Sequence, residues 1–315
     1  MTAPLQTLGT PQDVAGQSLA ASPCSLILGD CLDSMKSLPD KSVDAIITDL
    51  PYGTTACKWD AIIPFAPLWE QVRRVLKTSG VFVTTASQPF TTALIASDLA
   101  AFKYCWTWNK GKAGNFATAK IQPLRVTEDV VVFAFGRSTY NPQMTAALAE
   151  NKRPRDRAYA AKEDTTHGIA SGVFKVSESH DEDMRYPTNL LNFKSTEGEC
   201  NNLNRVHPTQ KPMELMRYLV RTYTNPGDVV LDPCMGSGTT CLAAKLEGRG
   251  YIGIEREPKY FETAKTRIEG DADLFSANVA DQTPAALDSA NTTGSSSRLA
   301  ASVLFVLGCS WWFLL

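Results

Sequence analysis

The sequence has no C-x-x-C pair. Its eight cysteines are scattered, and its three histidines, His167, His180 and His207, do not fall at ligand spacing beside them. The common zinc-site spacings are therefore absent, and no metal site is expected. The N-terminus, MTAPLQTLGTPQDVAGQSLAASP, carries neither a basic n-region nor an apolar h-region. Scattered cysteines without a secretory leader suggest a reducing cytosol, and residues 1–24 read as a disordered leader. Charge of one sign is also missing. The net charge is only -2, so no global field draws nucleic acid and any such surface has to be local. Hydrophobic residues at 43% and charged residues at 20% are ordinary for a globular chain.

Long hydrophobic runs are absent until the very end. Residues 271–298 are polar and rich in small side chains, and Leu299 to Leu315 then form an uncharged, mostly apolar tail ending in Trp311-Trp312-Phe313-Leu314-Leu315. Spanning a bilayer takes roughly 17–25 residues, so the tail is at the short edge. Three readings stay open: a membrane tail anchor, a lipid-anchor attachment signal after a polar spacer, and an accidental extension of the reading frame. The second also requires a secretory leader.

What is present is an alternation. Apolar runs rich in β-branched residues predict strands at 25–28, 42–47, 80–84, 104–108, 130–135, 229–231 and 251–254. Amphipathic segments predict helices at 31–38, 66–76, 90–101, 212–223, 239–246 and 259–269. Strand–helix alternation argues for an α/β fold with a mainly parallel sheet. Ligands of such sheets bind beyond the carboxyl ends of the strands. Acids stand at four of those ends: Asp30, Asp49, Asp232 and Glu255. The alternation fails over about 137–206, which reads as an insertion into a domain spanning 25–270.

One strand end is built for a ligand. The stretch Asp232-Pro233-Cys234-Met235-Gly236-Ser237-Gly238-Thr239-Thr240 is a strand, a tight turn and a helix start. Gly236 and Gly238 allow close backbone approach, and Thr239 and Thr240 are expected to cap the helix. The third glycine of a dinucleotide fingerprint is replaced by Cys241, and Asp232 would repel a pyrophosphate. A nucleoside that is not anionic at this point suits the turn better. Glu255 is placed to accept from ribose hydroxyls. Upstream, His207-Pro208-Thr209-Gln210-Lys211-Pro212 offers Thr209 as a helix N-cap, Pro212 as an early helical position and Lys211 as a positive charge.

Together these residues resemble the beta class of amino-group DNA methyltransferases. In that resemblance, DPCMGSGTT corresponds to the loop that binds the methionine side of S-adenosylmethionine. Glu255 corresponds to the ribose site, and Asp30 to the acid near the cofactor adenine. HPTQKP corresponds to the segment that closes over the methionine moiety, with His207, Thr209 and Lys211 as contacts. Asp49-Leu50-Pro51-Tyr52 corresponds to the catalytic Asp-Pro-Pro-Tyr, with Leu50 in place of the first proline. The catalytic motif comes first, then the insertion, then the cofactor loop. The fold implied is the Rossmann-like class I methyltransferase sheet, mainly parallel with one antiparallel strand, in permuted motif order. The partner implied is duplex DNA in the cytoplasm. A paired restriction enzyme and a homodimer are further partners to expect, and a membrane only if the tail is an anchor.

The chemistry explains the motif. An exocyclic adenine amine is a poor nucleophile because its lone pair is delocalised. Two acceptors aimed at its N–H groups localise that pair and stabilise the charge that develops. Asp49 can supply one, and the resemblance implies the main-chain carbonyl of Leu50 as the other, so leucine keeps the functional group and loses only the locked φ of proline. Tyr52 offers a ring for a flipped base. Aspartate in this motif favours adenine N6, with cytosine N4 as the alternative and a non-catalytic binding protein as the reading of another class. DNA is expected along Leu99–Thr127, which has no acidic residue. Lys110 and Lys112 there are expected in a glycine-rich loop, with Lys120 and Arg125 beyond. Arg153, Arg155 and Arg157 are expected in the target-recognition insertion.

Overall fold

The computed structural model describes residues 23–55, 57, 60–146, 184–195, 206, 207 and 209–270. The leader up to residue 22, the linker, the hydrophobic tail and the greater part of the insertion, with Arg153, Arg155 and Arg157, lie outside these residues.

In chain order the elements are β1 (Cys24–Leu28), α1 (Cys31–Lys36), β2 (Val43–Asp49), α2 (Phe65–Val75), β3 (Leu76–Ala86), α3 (Phe90–Ser97), β4 (Phe102–Gly114), a 3-10 turn at Phe116–Thr118, and β5 (Arg125–Ala134). There follow β6 (Thr145–Ala146), β7 (Met184–Arg185), β8 (Leu190–Asn192), α4 (Met213–Tyr223), β9 (Val229–Asp232), α5 (Thr239–Leu246), β10 (Gly250–Glu255) and α6 (Pro258–Glu269). Eight strands form one sheet in the order β1-β10-β9-β2-β3-β5-β4-β8, and β6 pairs with β7. In the eight-stranded sheet β5 runs antiparallel to both its neighbours, β3 and β4, while the other pairs are parallel; β6 and β7 are antiparallel.

The central strands are apolar on both faces because helices cover both. On β2, Ala45 and Ile47 pack with Val81, Val83, Leu215, Leu219 and Leu242, on the side of α4 and α5. Ile46 faces the other way, to Phe82, Leu68, Val72 and Leu231, on the side of α2. α2 buries Leu68, Trp69, Val72 and Val75, the spacing of one helical face. On β4 the period of two puts Trp106 and Trp108 in the core, while Tyr104 stays 39% exposed. Their indole N–H groups donate to Tyr223 Oη at 2.6 Å and to the Phe193 carbonyl at 2.7 Å.

Several boundaries differ from the pattern-based expectation. β1 begins at Cys24, because Tyr251 N–H donates to the Pro23 carbonyl. α3 stops at Ser97, where the Asp98 carbonyl accepts from Ala101 and Phe102 N–H. β4 runs on to Gly114, so Lys110 and Lys112 stand on a strand extension and not in a free loop. Within the segment read as an insertion, Leu190–Asn192 joins the sheet edge beside Thr107–Asn109.

Candidate active site

β2 and β9 are neighbours, with Ala45 opposite Val230 and Ile46 opposite Leu231. Their carboxyl ends therefore bring Asp49 and Asp232 into one cleft, although most of the sequence separates them. The cleft has a volume of about 490 Å³. At the Asp232 end it is lined by Asp30, Pro233, Cys234, Met235, Gly236, Ser237, Thr239 and Glu255. At the other end it is lined by Asp49, Leu50, Pro51, Tyr52, Lys110 and Arg125, with His207, Thr209 and Lys211 between them. Most residues singled out from the sequence thus share one cavity. Gly238 is not among the lining residues. A side chain there would meet Ile268 at 2.8 Å and Ala264 at 3.0 Å, so its role is to let the turn pack on α6. Lys112 and Lys120 are exposed outside the cleft.

Asp49 is held from three sides. Its Oδ1 accepts from Tyr52 Oη at 2.8 Å and from the Thr85 hydroxyl, and its Oδ2 accepts from Lys211 Nζ at 2.7 Å. Leu50 is 3% exposed and belongs to the core beneath, so its side chain anchors the turn. The Tyr52 ring stacks on Phe90, with centroids 5.3 Å apart and planes at 25°. The turn after it winds around Asp60. Its carboxylate accepts from the N–H groups of Gly53 at 2.9 Å, Thr54 at 2.9 Å and Thr55 at 2.6 Å. Gly53 has φ +67, and a side chain there would meet Ile62. Burial alone would raise the Asp60 carboxyl, but these hydrogen bonds outweigh it and hold the group below its ordinary value.

The Asp232 end is a buried acid beneath a glycine turn. Asp232 Oδ1 accepts from Thr48 Oγ1 at 2.7 Å and from Cys234 N–H at 3.1 Å. Burial still pushes its carboxyl up to about 7. Glu255 accepts from Gly236 N–H at 2.9 Å on one oxygen and from Glu257 N–H at 2.9 Å on the other. Its carboxylate thus ties the turn to the end of β10. Asp30 is exposed at the rim and caps α1, accepting from Leu32 N–H at 2.9 Å. His207 is buried against Tyr260, with ring centroids 4.1 Å apart, and burial lowers its imidazole to about 4. Partial burial and the Asp49 and Glu128 carboxylates raise the Tyr52 phenol well above 10.

Two capping expectations are corrected. The N-cap of α5 is Gly238, at φ +75, with no side-chain cap. The Thr239 hydroxyl accepts instead from Arg267 at 3.3 Å, and the Thr240 hydroxyl serves Asp232. The N-cap of α4 is Pro212, again without a side-chain cap, and the Thr209 hydroxyl lies 3.1 Å from His207 Nδ1. Lys211 stands on Asp49, and Lys110 turns inward to Glu128, which its Nζ reaches at 2.9 Å. Sequence reasoning passed over Asp60 and Glu128. Asp60 closes the same short stretch that holds Asp49–Tyr52, and Glu128 is the first acid after the acid-free stretch. Either signal could have flagged its residue.

Comparison with known proteins agrees with this fold. The family model described as DNA methylase, of N6 and N4 methyltransferases, matches residues 43–266. The type II methyltransferase M.HpaI of Haemophilus parainfluenzae is 28% identical over 263 residues, 79% of this chain and 76% of its own length. The DNA adenine methyltransferase YhdJ of Escherichia coli K12 is 29% identical over 259 residues, 78% of this chain and 82% of its own. Among solved structures, a complex of M1.HpyAVI with S-adenosylmethionine superposes with a TM-score of 0.52 at 25% identity, covering 78% of this chain and 98% of that one. The cytosine-N4-specific PvuII DNA methyltransferase shares the fold, with a TM-score of 0.56 at 19% identity over 83% of this chain and 91% of that one.

Proposed function

The chain belongs to the DNA methylase family of N6 and N4 amino-group methyltransferases, and from that premise we propose that it methylates the exocyclic N6 of a flipped adenine at a specific site in duplex DNA. The cofactor is S-adenosylmethionine. The residues present fit it: a buried carboxylate, a glycine turn and the Glu255 carboxylate line one end of a cleft of about 490 Å³. Asp30, Asp232, the turn from Pro233 to Ser237 with Thr239, Glu255, His207 and Thr209 would hold it. When bound, it supplies an electrophilic methyl group on a sulfonium.

The observation that carries the reading is the position of Asp49. It ends β2 beside Asp232 on β9, and it is followed by a backbone turn whose Leu50 carbonyl is a second acceptor. In the proposed reaction Asp49 and that carbonyl accept from the two N–H groups of the adenine amine. They stabilise the positive charge on the nitrogen as it attacks. Asp49 then helps to remove the surplus proton. Tyr52, backed by Phe90, gives the base a stacking surface that offsets unstacking by about 1–3 kcal/mol. Outside the cleft, Lys112 and Lys120 contact phosphates, as does Arg125 at its mouth, where Arg125 Nη1 donates to Ser87 Oγ at 2.9 Å and the Gln88 carbonyl at 3.0 Å. Adenine is favoured because the acceptor is aspartate, and because the Escherichia coli relative bears that specificity in its name.

Expression in a methylation-free host, with nucleoside mass spectrometry and long-read mapping of the DNA, tests this. N6-methyladenine at one short motif is expected. N4-methylcytosine would refute the base assignment, and cofactor binding with no methylation would favour a non-catalytic protein. Asp49→Ala should abolish transfer and leave cofactor binding largely intact. Turnover by that variant would overturn the role of Asp49.

A further inference from the structure

Glu128 lies on β5 and faces the cleft. Its Oε1 accepts from Lys110 Nζ at 2.9 Å. Its Oε2 is buried and has no hydrogen-bond partner among the described residues. A carboxylate oxygen removed from water without a donor is unfavourable, and such an atom in a folded protein calls for an explanation. Lys211 Nζ is 3.8 Å from it, beyond hydrogen-bond range. That ammonium donates instead to Asp49 Oδ2 at 2.7 Å and lies over the Tyr52 ring, 5.7 Å from its centroid. One cation thus stands between two carboxylates, bonded to the first and a short movement from the second.

The arrangement conflicts with an amine seated on Asp49. Oδ1 already accepts from Tyr52 and Thr85, so Oδ2 is the oxygen an incoming amine would use, and Lys211 holds it. The ammonium also occupies space over the ring on which the base would stack. A fixed positive charge there opposes the positive charge growing on the attacking nitrogen.

We propose that Glu128 Oε2 is the acceptor that receives Lys211 when the target base enters. The ammonium passes from Asp49 Oδ2 to Glu128 Oε2. This frees the Asp49 oxygen for the amine and satisfies the one buried side-chain oxygen without a hydrogen-bond partner among the described residues, and the lysine exchanges one charge-assisted hydrogen bond for another. The proposal rests on the assignment of Asp49 to the target amine. In this hand-over Glu128 acts through Lys211, which makes it a positioning residue.

The test uses the full chain and a duplex carrying its mapped site. Glu128→Gln keeps the shape and removes the charge that attracts the ammonium. Its single-turnover methyl-transfer rate should fall by about tenfold or more, while cofactor affinity stays within about twofold of wild type. An unchanged rate overturns the proposal. A structure of the wild-type protein with that duplex and S-adenosylhomocysteine decides the point even if the variant folds poorly. Lys211 Nζ should lie within about 3.2 Å of Glu128 Oε2 and have left Asp49. Lysine still on Asp49 Oδ2 beside a seated base refutes the hand-over and leaves the catalytic assignment standing. A wild-type protein that methylates no DNA overturns both.

Discussion

Asp232→Asn should make the ligand-free protein more stable above neutral pH while weakening cofactor binding. Asp232 is 3% exposed, and burial holds its carboxyl at about 7, against an ordinary 3.8, despite hydrogen bonds from Thr48, Thr240 and Cys234. The folded pKa is raised, so the protonated form favours folding. That contribution is complete below the unfolded value and is lost as pH rises toward 7. The interval corresponds to about 4 kcal/mol. His207 works in the opposite sense. Burial lowers it from 6.5 to about 4, so its contribution is lost as pH falls through that range, and the two residues partly cancel there. Asparagine keeps an Oδ1 for Thr48 and Cys234 but gives up the charge-assisted bonds. Roughly half the interval, about 2 kcal/mol, should remain as net stabilisation at pH 8, a rise in melting temperature of roughly 4–8 °C. Calorimetric melts of wild type and variant at pH 4.5 and 8, with cofactor titrations at pH 8, supply the measurements. The gap between the proteins should close at the acid end. A gap independent of pH, or a variant no more stable than wild type at pH 8, would refute the burial argument.

Three other outcomes follow from the geometry. Leu50→Pro should retain transfer within about threefold of wild type, because the carbonyl remains and the hydrogen bond lost among the described residues is the 3.5 Å contact of Leu50 N–H with Thr84 Oγ1; single-turnover rates check this. Asp60→Ala releases three backbone N–H groups and should cost about 2 kcal/mol in a urea titration. Its transfer rate should fall at saturating DNA, whereas a loss of DNA affinity alone would tell against a role in shaping the turn. Lys112→Ala and Lys120→Ala should each weaken binding to any duplex sequence and lower the salt slope by about 1; a sequence-dependent loss in fluorescence anisotropy would contradict phosphate contact.

Much of the sheet was legible because its strands are buried on both faces and show as apolar runs, as Val130–Phe133 does. The acids at their ends were legible for the complementary reason, since a carboxylate beside such a run has few structural uses. The helix caps were not. A threonine after a glycine turn looks the same whether its hydroxyl caps the helix or serves a neighbour, and Arg267 and Asp232 claim Thr239 and Thr240 from elsewhere in the chain. The ion pair of Lys110 was not legible because its partner lies across a hairpin, in a register that sets Trp108 opposite Glu128. β8 escaped notice because three residues with one buried side chain, Leu191, are too short to display alternation.

The position of β1 has a consequence for synthesis. It precedes the other described strands in the chain and so leaves the ribosome before them, yet β10 and β9 stand between it and β2. Leu26 pairs with Gly253, and Ala45 waits for Val230. Until those late residues emerge, β1 has no partner in the main sheet and β2 keeps an unpaired edge. Contacts so distant along the chain close slowly and leave strand edges exposed meanwhile. The half of the protein bearing Asp49–Tyr52 is therefore the half that waits, and a chain broken off before Gly250 would present two open apolar edges to its neighbours.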